Sequence, residues 1–374
     1  MPKDKINILY IHNMTQISGG ERSLLNLWAN LDKDRFKSFL IIPQEGGFSE
    51  AARQQGVDVN FISVPKLHPA NIFKIINAAI HLYKFLRLNK INVVHSYAPR
   101  NNILSACVAK CSGIPVIWHE RNLIYRDERD ITKQFLFLPK FVICNSKAVA
   151  GRFQTKDPTK VKIVLNGVNL DIFKPSNDNN TLKKTLGLEG MKIAGMVTNL
   201  NQRKHVRFLI EIIPLVLKNV PDVKFLIVGG EFPNEGGVQL KELQMLAESL
   251  GVQSHVVFTG FQNDVRPYLN ILDVFVHVTE KEACSRAIIE AMAFAKPVVA
   301  IDDGGNPELV KDGITGFLTP PGDRHQFAAH VSELLCDDAK RKFMGEKARM
   351  RAEQLFDVKR NAKETEQIYL ECHA

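Results

Sequence analysis

The sequence predicts an α/β protein with two doubly wound domains, each built on a parallel β-sheet covered by helices. Its length of 374 residues exceeds what a single hydrophobic core usually organises. In both halves, short apolar runs alternate with segments of helical periodicity, which is typical of repeated strand–helix units. Several of these runs are continuously apolar, as strands buried on both faces of a parallel sheet are.

The first half contains the larger set of predicted strands. A helix is predicted to start at Glu21, after a loop that ends in Gly19 and Gly20. Ligands of parallel α/β sheets bind at the carboxyl edge, so the amides of this first loop contact an acceptor or a phosphate, or else the loop is a plain strand-to-helix turn. A basic amphipathic helix is predicted over 71–90, which either packs on its own sheet or lies on lipid. The predicted strands cover residues 6–12, 38–43, 57–64, 91–96, 115–119, 141–145 and 161–165.

The second half repeats the order of strand, glycine turn and helix. Residues 176–190 are polar and rich in turn formers, which predicts a linker, taken as 173–190, between domains at 1–172 and 191–352. From residue 323 to the end the pattern is helical throughout. The predicted strands cover 193–198, 223–228, 256–260, 274–278 and 297–301, and the predicted helices 205–218 and 239–250.

Cysteine usage and hydropathy indicate the compartment. The six cysteines form no Cys-x-x-Cys pair, so they are expected to be buried thiols in a reducing compartment rather than metal ligands. The amino-terminal segment lacks an apolar run of signal length, and no uncharged stretch approaches the length of a membrane span. A soluble cytoplasmic protein is expected, with peripheral association with the cytoplasmic face of a membrane left open.

The net charge of +9 is unevenly distributed. Residues 1–185 hold 27 Lys and Arg against 14 Asp and Glu, a net charge of +13, which leaves −4 for residues 186–374. A basic half indicates an anionic partner, either nucleic acid or an anionic membrane surface that carries a lipid-linked acceptor. The sequence contains no dense arginine tract and no nucleic-acid motif, so nucleic acid is not expected.

Acidic residues, glycines and a helix start converge within residues 279–323. Glu282 precedes a predicted helix that has Ser285 as its N-cap, and the helix amides would favour phosphate oxygens. Glu290, further along that helix, suits a vicinal diol such as a ribose. Gly304 and Gly305 then allow close approach of backbone to a ligand. Two such glutamates could equally be solvated acids on a helix face, and only the whole string of residues favours a binding site.

That string resembles the nucleotide-sugar motif of family 4 glycosyltransferases. Its pieces are Glu-x7-Glu-Ala-Met-Ala from Glu282, Pro-Val-Val-Ala at 297–300, Gly-Gly, Pro-Glu, Gly-x-Thr-Gly at 313–316 and Pro-Gly-Asp at 321–323. The first loop, Gly-Gly-Glu-Arg followed by Ser-Leu-Leu, also resembles the family. One departure is that Ser285 stands where the family usually has glycine, which puts a side chain beside the expected diphosphate.

The resemblance implies the GT-B fold, two Rossmann-like domains with parallel sheets facing a central cleft, and a C-terminal helix, 353–374, that crosses back to the first domain. It implies that Lys204 occupies the family's diphosphate-binding lysine position, while Asn199 replaces an arginine and His205 a glycine. Arg203 is a candidate substitute for that arginine, although a solvated basic turn is the alternative. Arg286 joins the expected donor-binding residues.

A histidine in the family contacts the donor sugar, and the segment Pro-Val-Ile-Trp-His makes His119 its counterpart, with His95 as a weaker candidate. A histidine at a strand end can also be purely structural. The implied activity is retaining, metal-independent transfer of a sugar from a nucleotide-sugar to a saccharide or lipid-linked acceptor, with no cofactor, in cell-surface polysaccharide, lipopolysaccharide or glycolipid biosynthesis. Glu282, His119 and Lys204 are the expected catalytic residues.

Two other classes of protein remain open from the sequence. An epimerase or phosphorylase of the same fold would reuse the same site but would turn over a nucleotide sugar without an acceptor alcohol. A non-catalytic nucleotide-sugar-binding protein would bind without transfer, and the departures at Asn199 and Ser285 leave room for it.

Overall fold

The computed structural model describes residues 5–124, 130–153, 155, 157–176, 180–231 and 238–374. The chain divides into two compact units. The first unit comprises Met1–Gly167 together with Val358–Ala374, and the second comprises Val168–Asp357. Each unit is therefore built around its own sheet, and the chain leaves and re-enters the first unit.

The first unit contains a seven-stranded sheet in the order β3-β2-β1-β4-β5-β6-β7, with every strand pair parallel. Its strands are β1 (Ile6–Ile11), β2 (Phe36–Ile42), β3 (Asp58–Phe61), β4 (Val93–Tyr97), β5 (Val116–Glu120), β6 (Phe141–Cys144) and β7 (Val161–Ile163). Its helices are α1 (Gly19–Asn30), α2 (Gly47–Gln54), α3 (Ile72–Leu88), α4 (Pro99–Cys111), α5 (Lys147–Ala150) and, from the chain's end, α14 (Val358–His373).

The second unit contains a six-stranded parallel sheet in the order β10-β9-β8-β11-β12-β13. Its strands are β8 (Lys192–Val197), β9 (Val223–Val228), β10 (Val256–Phe258), β11 (Val274–His277), β12 (Val298–Ile301) and β13 (Gly316–Thr319). Its helices are α6 (Asn180–Thr185), α7 (Val206–Leu217), α8 (Val238–Ser249), α9 (Arg266–Ile271), α10 (Arg286–Ala293), α11 (Asn306–Leu309), α12 (Arg324–Cys336) and α13 (Asp338–Leu355).

Each predicted strand is present, with ends that differ by a few residues, and the prediction of two parallel-sheet α/β domains is confirmed. The continuous apolar runs are the central strands, which helices cover on both faces. Strand β13 is missing from the prediction because it is a short edge strand that begins at a glycine. At Gly316 an added Cβ would lie 1.9 Å from the backbone oxygen of Val298, so the close pairing of β13 with β12 requires glycine there.

The predicted boundary between the domains is corrected by the structure. The described residues within 173–190 belong to the second unit rather than to a linker, since the change of unit falls between Gly167 and Val168. Asn270 Nδ2 donates to the backbone oxygen of Ser176 at 3.0 Å, which ties this polar segment to α9. The carboxy-terminal region, predicted to be helical throughout, consists of three helices, and Asp337 ends α12 and caps α13 by accepting from the Lys340 amide.

The last helix, α14, packs into the core of the first unit. Ala362, Ile368, Tyr369 and Cys372 are buried in the cluster that contains Tyr10 and other residues of β1, β2 and α1. The return of the chain to the first unit takes place after Asp357, later than the predicted residue 353. The apolar face of α14 supplies the burial that stabilises it there.

Among the described residues no helix combines the length and apolar character that crossing a membrane requires. The six cysteines are free thiols, of which Cys144, Cys284 and Cys372 are buried. Cys107, Cys111 and Cys336 are exposed, so the expectation that all six are buried is wrong. Cys107 and Cys111 lie on α4 and Cys336 lies on α12, each with an exposed side chain.

Two helical glycines should respond oppositely to alanine. Alanine normally favours a helix over glycine by about 1 kcal/mol. In Gly345→Ala the new Cβ would lie 2.1 Å from the backbone oxygen of Ala295, so overlap should outweigh propensity and lower the free energy of unfolding by about 1 to 3 kcal/mol. Urea titration followed by circular dichroism measures the change.

Gly20→Ala is the matched control, because no atom lies within 4 Å of the added Cβ in the first turn of α1. It should leave stability unchanged or raise it by about 0.4 to 1 kcal/mol. Equal effects of the two substitutions would contradict the close approach of α13 to the residues that follow α10.

Candidate active site

The two sheets share a topological feature that locates their binding edges. In the second unit the strand order reverses direction between β8 and β11, and in the first unit between β1 and β4. Loops that leave the carboxyl ends of these adjacent strands diverge to opposite faces, which leaves a crevice where ligands of parallel sheets bind. Lys204 follows β8 and Glu282 follows β11, so residues distant in sequence meet at one edge.

Lys204 and Glu282 form the central ion pair of this edge. The Lys204 Nζ lies 2.7 Å from Glu282 Oε2, and the side chains are only 28% and 20% exposed. Burial opposes ionisation of Glu282, but the nearby Lys204 and His277 outweigh it and lower the pKa of the carboxyl. The glutamate is therefore a carboxylate, able to accept hydrogen bonds from hydroxyl groups as well as from Lys204.

Gly305 locks the loop that carries Glu282. Its amide donates to the backbone oxygen of Glu282 at 2.7 Å, and an added Cβ would lie 1.9 Å from the backbone oxygen of Ala283. Gly304 has a φ of 59°, in the left-handed region that favours glycine. The Lys281 amide also donates to Asp303 Oδ2 at 2.7 Å. The tandem glycines thus serve backbone packing directly, and this packing sets the position of Glu282.

Helix α10 begins beside this loop as the sequence predicts. Ser285 is its N-cap and accepts a hydrogen bond from the Ile288 amide at 3.4 Å, so the serine hydroxyl is engaged by its own helix. Glu290 is buried, and its Oε1 accepts from Arg286 Nη2 at 2.9 Å one helical turn earlier. Arg286 and Glu290 therefore act as a pair, a partnership that the sequence reasoning missed although the spacing of four residues allows it.

The turn after β8 shows how the departures from the family pattern are accommodated. His205 adopts left-handed geometry, with φ 54° and ψ 29°, between a short 3-10 turn and helix α7. Glycine adopts this conformation at least cost, which explains a family preference for glycine at this position. Asn199 Oδ1 accepts from Asn201 Nδ2 at 3.0 Å, and the Arg203 side chain is exposed.

His277, at the end of β11, is a buried polar residue that the sequence reasoning overlooked. Among the described residues, neither of its ring nitrogens has a hydrogen-bond partner, and the Thr279 hydroxyl is buried without one as well. Burial lowers the pKa of His277 to about 4, with Glu282 opposing this change and Lys204 adding to it. A histidine within an otherwise apolar strand, Val-Phe-Val-His, was the available signal.

In the first unit the predicted acceptor loop is partly helix. Helix α1 begins at Gly19, two residues before the predicted start, because Ser18 is the N-cap. Glu21 closes a capping box: its carboxylate accepts from the Ser18 amide at 2.9 Å and from the Ser18 hydroxyl. Its other oxygen lies 3.4 Å from His12 Nε2. The buried Glu21 side chain thus connects the start of α1 to His12, the residue that follows β1.

His119 and His95 lie side by side on adjacent strands of the first unit. His119 precedes the last residue of β5, whereas His95 is in the middle of β4 and not at its end as predicted. The His119 Nδ1 lies 3.0 Å from His95 Nε2, and His119 Nε2 lies 3.3 Å from Arg121 Nη1. Burial, followed by the charge of Arg121, lowers the pKa of His119 well below its ordinary value.

Metal-ligating side chains show no cluster within the described ranges, where no group of three or more His, Cys, Asp or Glu could hold an ion. Metal independence and the absence of a cofactor stay predictions.

Two family models match almost consecutive segments of the chain. The model described as Glycosyltransferase Family 4 matches residues 17–172, and the model described as Glycosyl transferases group 1 matches residues 178–351. The chain belongs to the family 4 glycosyltransferases. The resemblance seen in residues 279–323 is thereby confirmed, and so is the expectation that the protein is a glycosyltransferase.

Two relatives of this glycosyltransferase align with most of its length. The UDP-Gal:alpha-D-GlcNAc-diphosphoundecaprenol alpha-1,3-galactosyltransferase of Escherichia coli is 25% identical over 98% of this chain and 97% of its own. The capsular polysaccharide biosynthesis glycosyltransferase CapM of Staphylococcus aureus is 22% identical over 88% of this chain and 93% of its own.

The structure of Anabaena HepE in complex with UDP has a TM-score of 0.85 over 98% of this chain and 100% of its own, at 22% identity. This likeness shows the fold, and the prediction of GT-B Rossmann-like domains is confirmed.

The Lys204–Glu282 contact predicts a coupled loss of stability. Lys204→Ala leaves a mostly buried carboxylate without its cation, so we expect a loss of about 1 to 3 kcal/mol in the free energy of unfolding at pH 7. Because the pKa of Glu282 should rise in this variant, the loss should shrink at pH 5, where the carboxyl can take up a proton. Urea titration at both pH values measures it.

Two further variants complete this experiment. Adding Glu282→Gln to Lys204→Ala should cost less than the sum of the single changes, since the pair is then removed as a unit. Lys241→Ala, at an exposed position on α8, serves as a control with the same change of charge. Additive losses from Lys204 and Glu282 would show that the two side chains are not coupled in solution.

Proposed function

We propose that this glycosyltransferase moves a sugar, with retention of anomeric configuration and without a required metal, from a nucleotide-sugar to a hydroxyl of a saccharide or lipid-linked acceptor. The observation that carries the proposal is the Lys204–Glu282 pair, 2.7 Å long, at the crevice between β8 and β11 and one short loop before the start of α10. It combines a cation for phosphate, a carboxylate for hydroxyls and a helix N-terminus in one place.

The proposed roles follow from this geometry. Lys204, Arg203 and the amides at the start of α10 would stabilise the charge that develops on the leaving diphosphate. Glu282, already ionised, would accept hydrogen bonds from sugar hydroxyls and share Lys204 with the phosphate. Ser285, whose hydroxyl caps α10, would bring its backbone rather than a free side chain to the donor. Glu290, held by Arg286, would accept from the ribose hydroxyls.

The donor class is supported by relatives. The E. coli relative is named for a UDP-sugar donor and an acceptor that is a lipid diphosphate. HepE has been crystallised with UDP and with UDP-glucose. We therefore take UDP as the first nucleotide probe, with GDP beside it. The pathway proposed is the assembly of cell-surface polysaccharide, lipopolysaccharide or glycolipid, by a cytoplasmic enzyme.

Incubation with a UDP-sugar alone and with an undecaprenyl-diphosphate saccharide tests the reaction. A glycosylated lipid that forms only when both are present, and that also forms in EDTA, supports the proposal. Conversion of the UDP-sugar without any acceptor would indicate an epimerase, and nucleotide binding without product across an acceptor panel would indicate a non-catalytic protein.

Glu290→Ala should weaken UDP binding about ten- to a hundredfold, because loss of hydrogen bonds to a charged group costs roughly 1.5 to 3 kcal/mol. Isothermal titration measures the affinity, and circular dichroism checks the fold. Glu346→Ala, at an exposed position on α13, removes the same charge and should leave the affinity unchanged. Unaltered UDP affinity in Glu290→Ala would refute the ribose assignment.

We propose further that the acceptor is reached at an anionic bilayer, on which helix α3 lies. The buried side of α3 packs on the first unit through Ala78, Leu82 and Leu86. On the solvent side, Phe73 is 84% exposed, and a second apolar row continues along the helix. The exposed apolar residues are Ile72, Phe73, Ile76, Ile80, Tyr83 and Leu88.

The exposed face of α3 carries cations among these apolar residues. A helix with a wide apolar stripe and flanking cations is typical of segments that lie in the membrane interface. An anionic bilayer complements both features, because the apolar side chains enter the acyl boundary while the cations meet phosphate groups. The exposed basic residues in and just after the helix are Lys74, Lys84, Arg87 and Lys90.

Neutralising these four cations together should abolish most binding to vesicles that contain phosphatidylglycerol. Each cation contributes on the order of 1 kcal/mol near an anionic surface, so the loss should approach a thousandfold at low salt. Serine at Phe73, Ile76 and Ile80 should weaken binding at low and high salt alike, because apolar insertion is not screened by salt. Vesicle co-sedimentation measures both variants.

The control neutralises four exposed lysines of the second unit, which changes the net charge by the same amount. This variant should still bind the vesicles. The four residues are Lys218, Lys241, Lys311 and Lys342. UDP affinity should be unchanged in every variant. If the wild-type protein does not bind anionic vesicles at low salt, the proposal is wrong and the acceptor is bound from solution.

A further inference from the structure

Four hydrogen-bonded side chains form a buried column in the first unit. His119 Nδ1 lies 3.0 Å from His95 Nε2, and His95 Nδ1 lies 2.7 Å from the Tyr369 hydroxyl. The Tyr369 hydroxyl lies 2.9 Å from that of Tyr10. The column therefore connects β5, β4, the C-terminal helix α14 and β1, and only its His119 end approaches the carboxyl edge of the sheet.

Arg121 sets the direction of the hydrogen bond between the two histidines of this column. A guanidinium can only donate, so His119 Nε2, which lies 3.3 Å from Arg121 Nη1, must accept. Burial lowers the pKa of both imidazoles, that of His95 to about 3, so each ring is neutral and carries one proton. The proton of His119 must then be on Nδ1, from which it donates to His95 Nε2.

The same logic continues to the far end of the column. His95 accepts at Nε2, so its own proton is on Nδ1 and donates to the Tyr369 hydroxyl, which is also hydrogen-bonded to the Tyr10 hydroxyl. The opposite tautomer of His95 would place two N–H groups face to face against His119. The Tyr369 hydroxyl completes the arrangement that Arg121 selects, because without it the buried Nδ1–H of His95 would lack an acceptor.

Stacking holds the rings in this geometry. The Tyr97 ring stacks on His95, with centroids 4.9 Å apart and an interplanar angle of 11°, and on His119, also at 4.9 Å. His95 and His119 stack on each other at 5.2 Å. Neither imidazole can turn over without disturbing Tyr97, so the tautomer is the remaining variable that the column controls.

We propose that Tyr369 is a positioning residue of the transferase, which acts through His95 to keep His119 in the Nδ1–H tautomer and so presents its Nε2 as a hydrogen-bond acceptor. The inference rests on the donor-sugar contact that the family resemblance implies for His119, in which a sugar hydroxyl would replace Arg121 at Nε2.

Tyr369→Phe tests this inference, since it keeps the ring and removes the acceptor of His95. Long-range ¹H–¹⁵N correlation spectra of histidine-labelled full-length protein report which ring nitrogen is protonated. In the wild type, His95 and His119 should both be Nδ1–H. In Tyr369→Phe, His95 Nε2–H should appear, His119 should become a mixture of tautomers, and the KM for the donor sugar should rise about tenfold with a smaller change in kcat.

Tyr83→Phe is the matched control. It deletes a tyrosine hydroxyl at an exposed position on α3, outside the column, so both histidines should stay Nδ1–H and the donor KM should be unchanged. Tyr369→Phe spectra identical to wild type would overturn the proposal.

The wild-type spectrum provides a test that needs no folded variant. An exchange-protected Hδ1 of His95 close in space to the Tyr369 ring protons supports the column, and a proton on Nε2 of either histidine overturns it. Absence of any transferase activity in the wild type would count against the proposed function, whereas the tautomers would still decide the proton arrangement.

Discussion

The candidate site of the second unit depends on the contact between Gly305 and the loop that carries Glu282. The Gly305 amide donates to the Glu282 carbonyl, and no side chain fits between Gly305 and Ala283. The segments that follow β11 and β12 are therefore pressed together at the sheet edge. Because β8 is the other neighbour of β11, Lys204 reaches the Glu282 carboxylate from there, and the site's charges follow from this backbone packing.

In the first unit, the buried polar column from His119 to Tyr10 connects the strands to one another and to α14. Burying histidines and tyrosines is unfavourable unless each polar atom finds a partner, and the column supplies one for each ring nitrogen from Arg121 to Tyr10. The member of the column that lies on α14 is Tyr369. The C-terminal helix therefore completes the hydrogen bonding of the strand residues as well as the apolar core.

Local backbone geometry accounts for how this chain departs from its family's pattern. His205 adopts the left-handed conformation that a glycine would adopt more easily, so the turn forms without glycine at this position. Ser285 is accommodated because its hydroxyl caps α10. Asn199 forms a hydrogen bond to Asn201 within its own loop, and it brings no charge to the place where the family has arginine.

The sequence by itself determined the fold class, every strand except β13, the N-cap at Ser285 and the family, because apolar periodicity, capping and a contiguous motif are local properties. It could not reveal that Lys204 meets Glu282, or that Tyr369 bonds to His95 from 274 residues away. Such contacts arise only when parallel strands are ordered in a sheet and the chain returns to its first unit. The tertiary structure alone decided them, since strand order and the docking of α14 bring together residues that no local pattern relates.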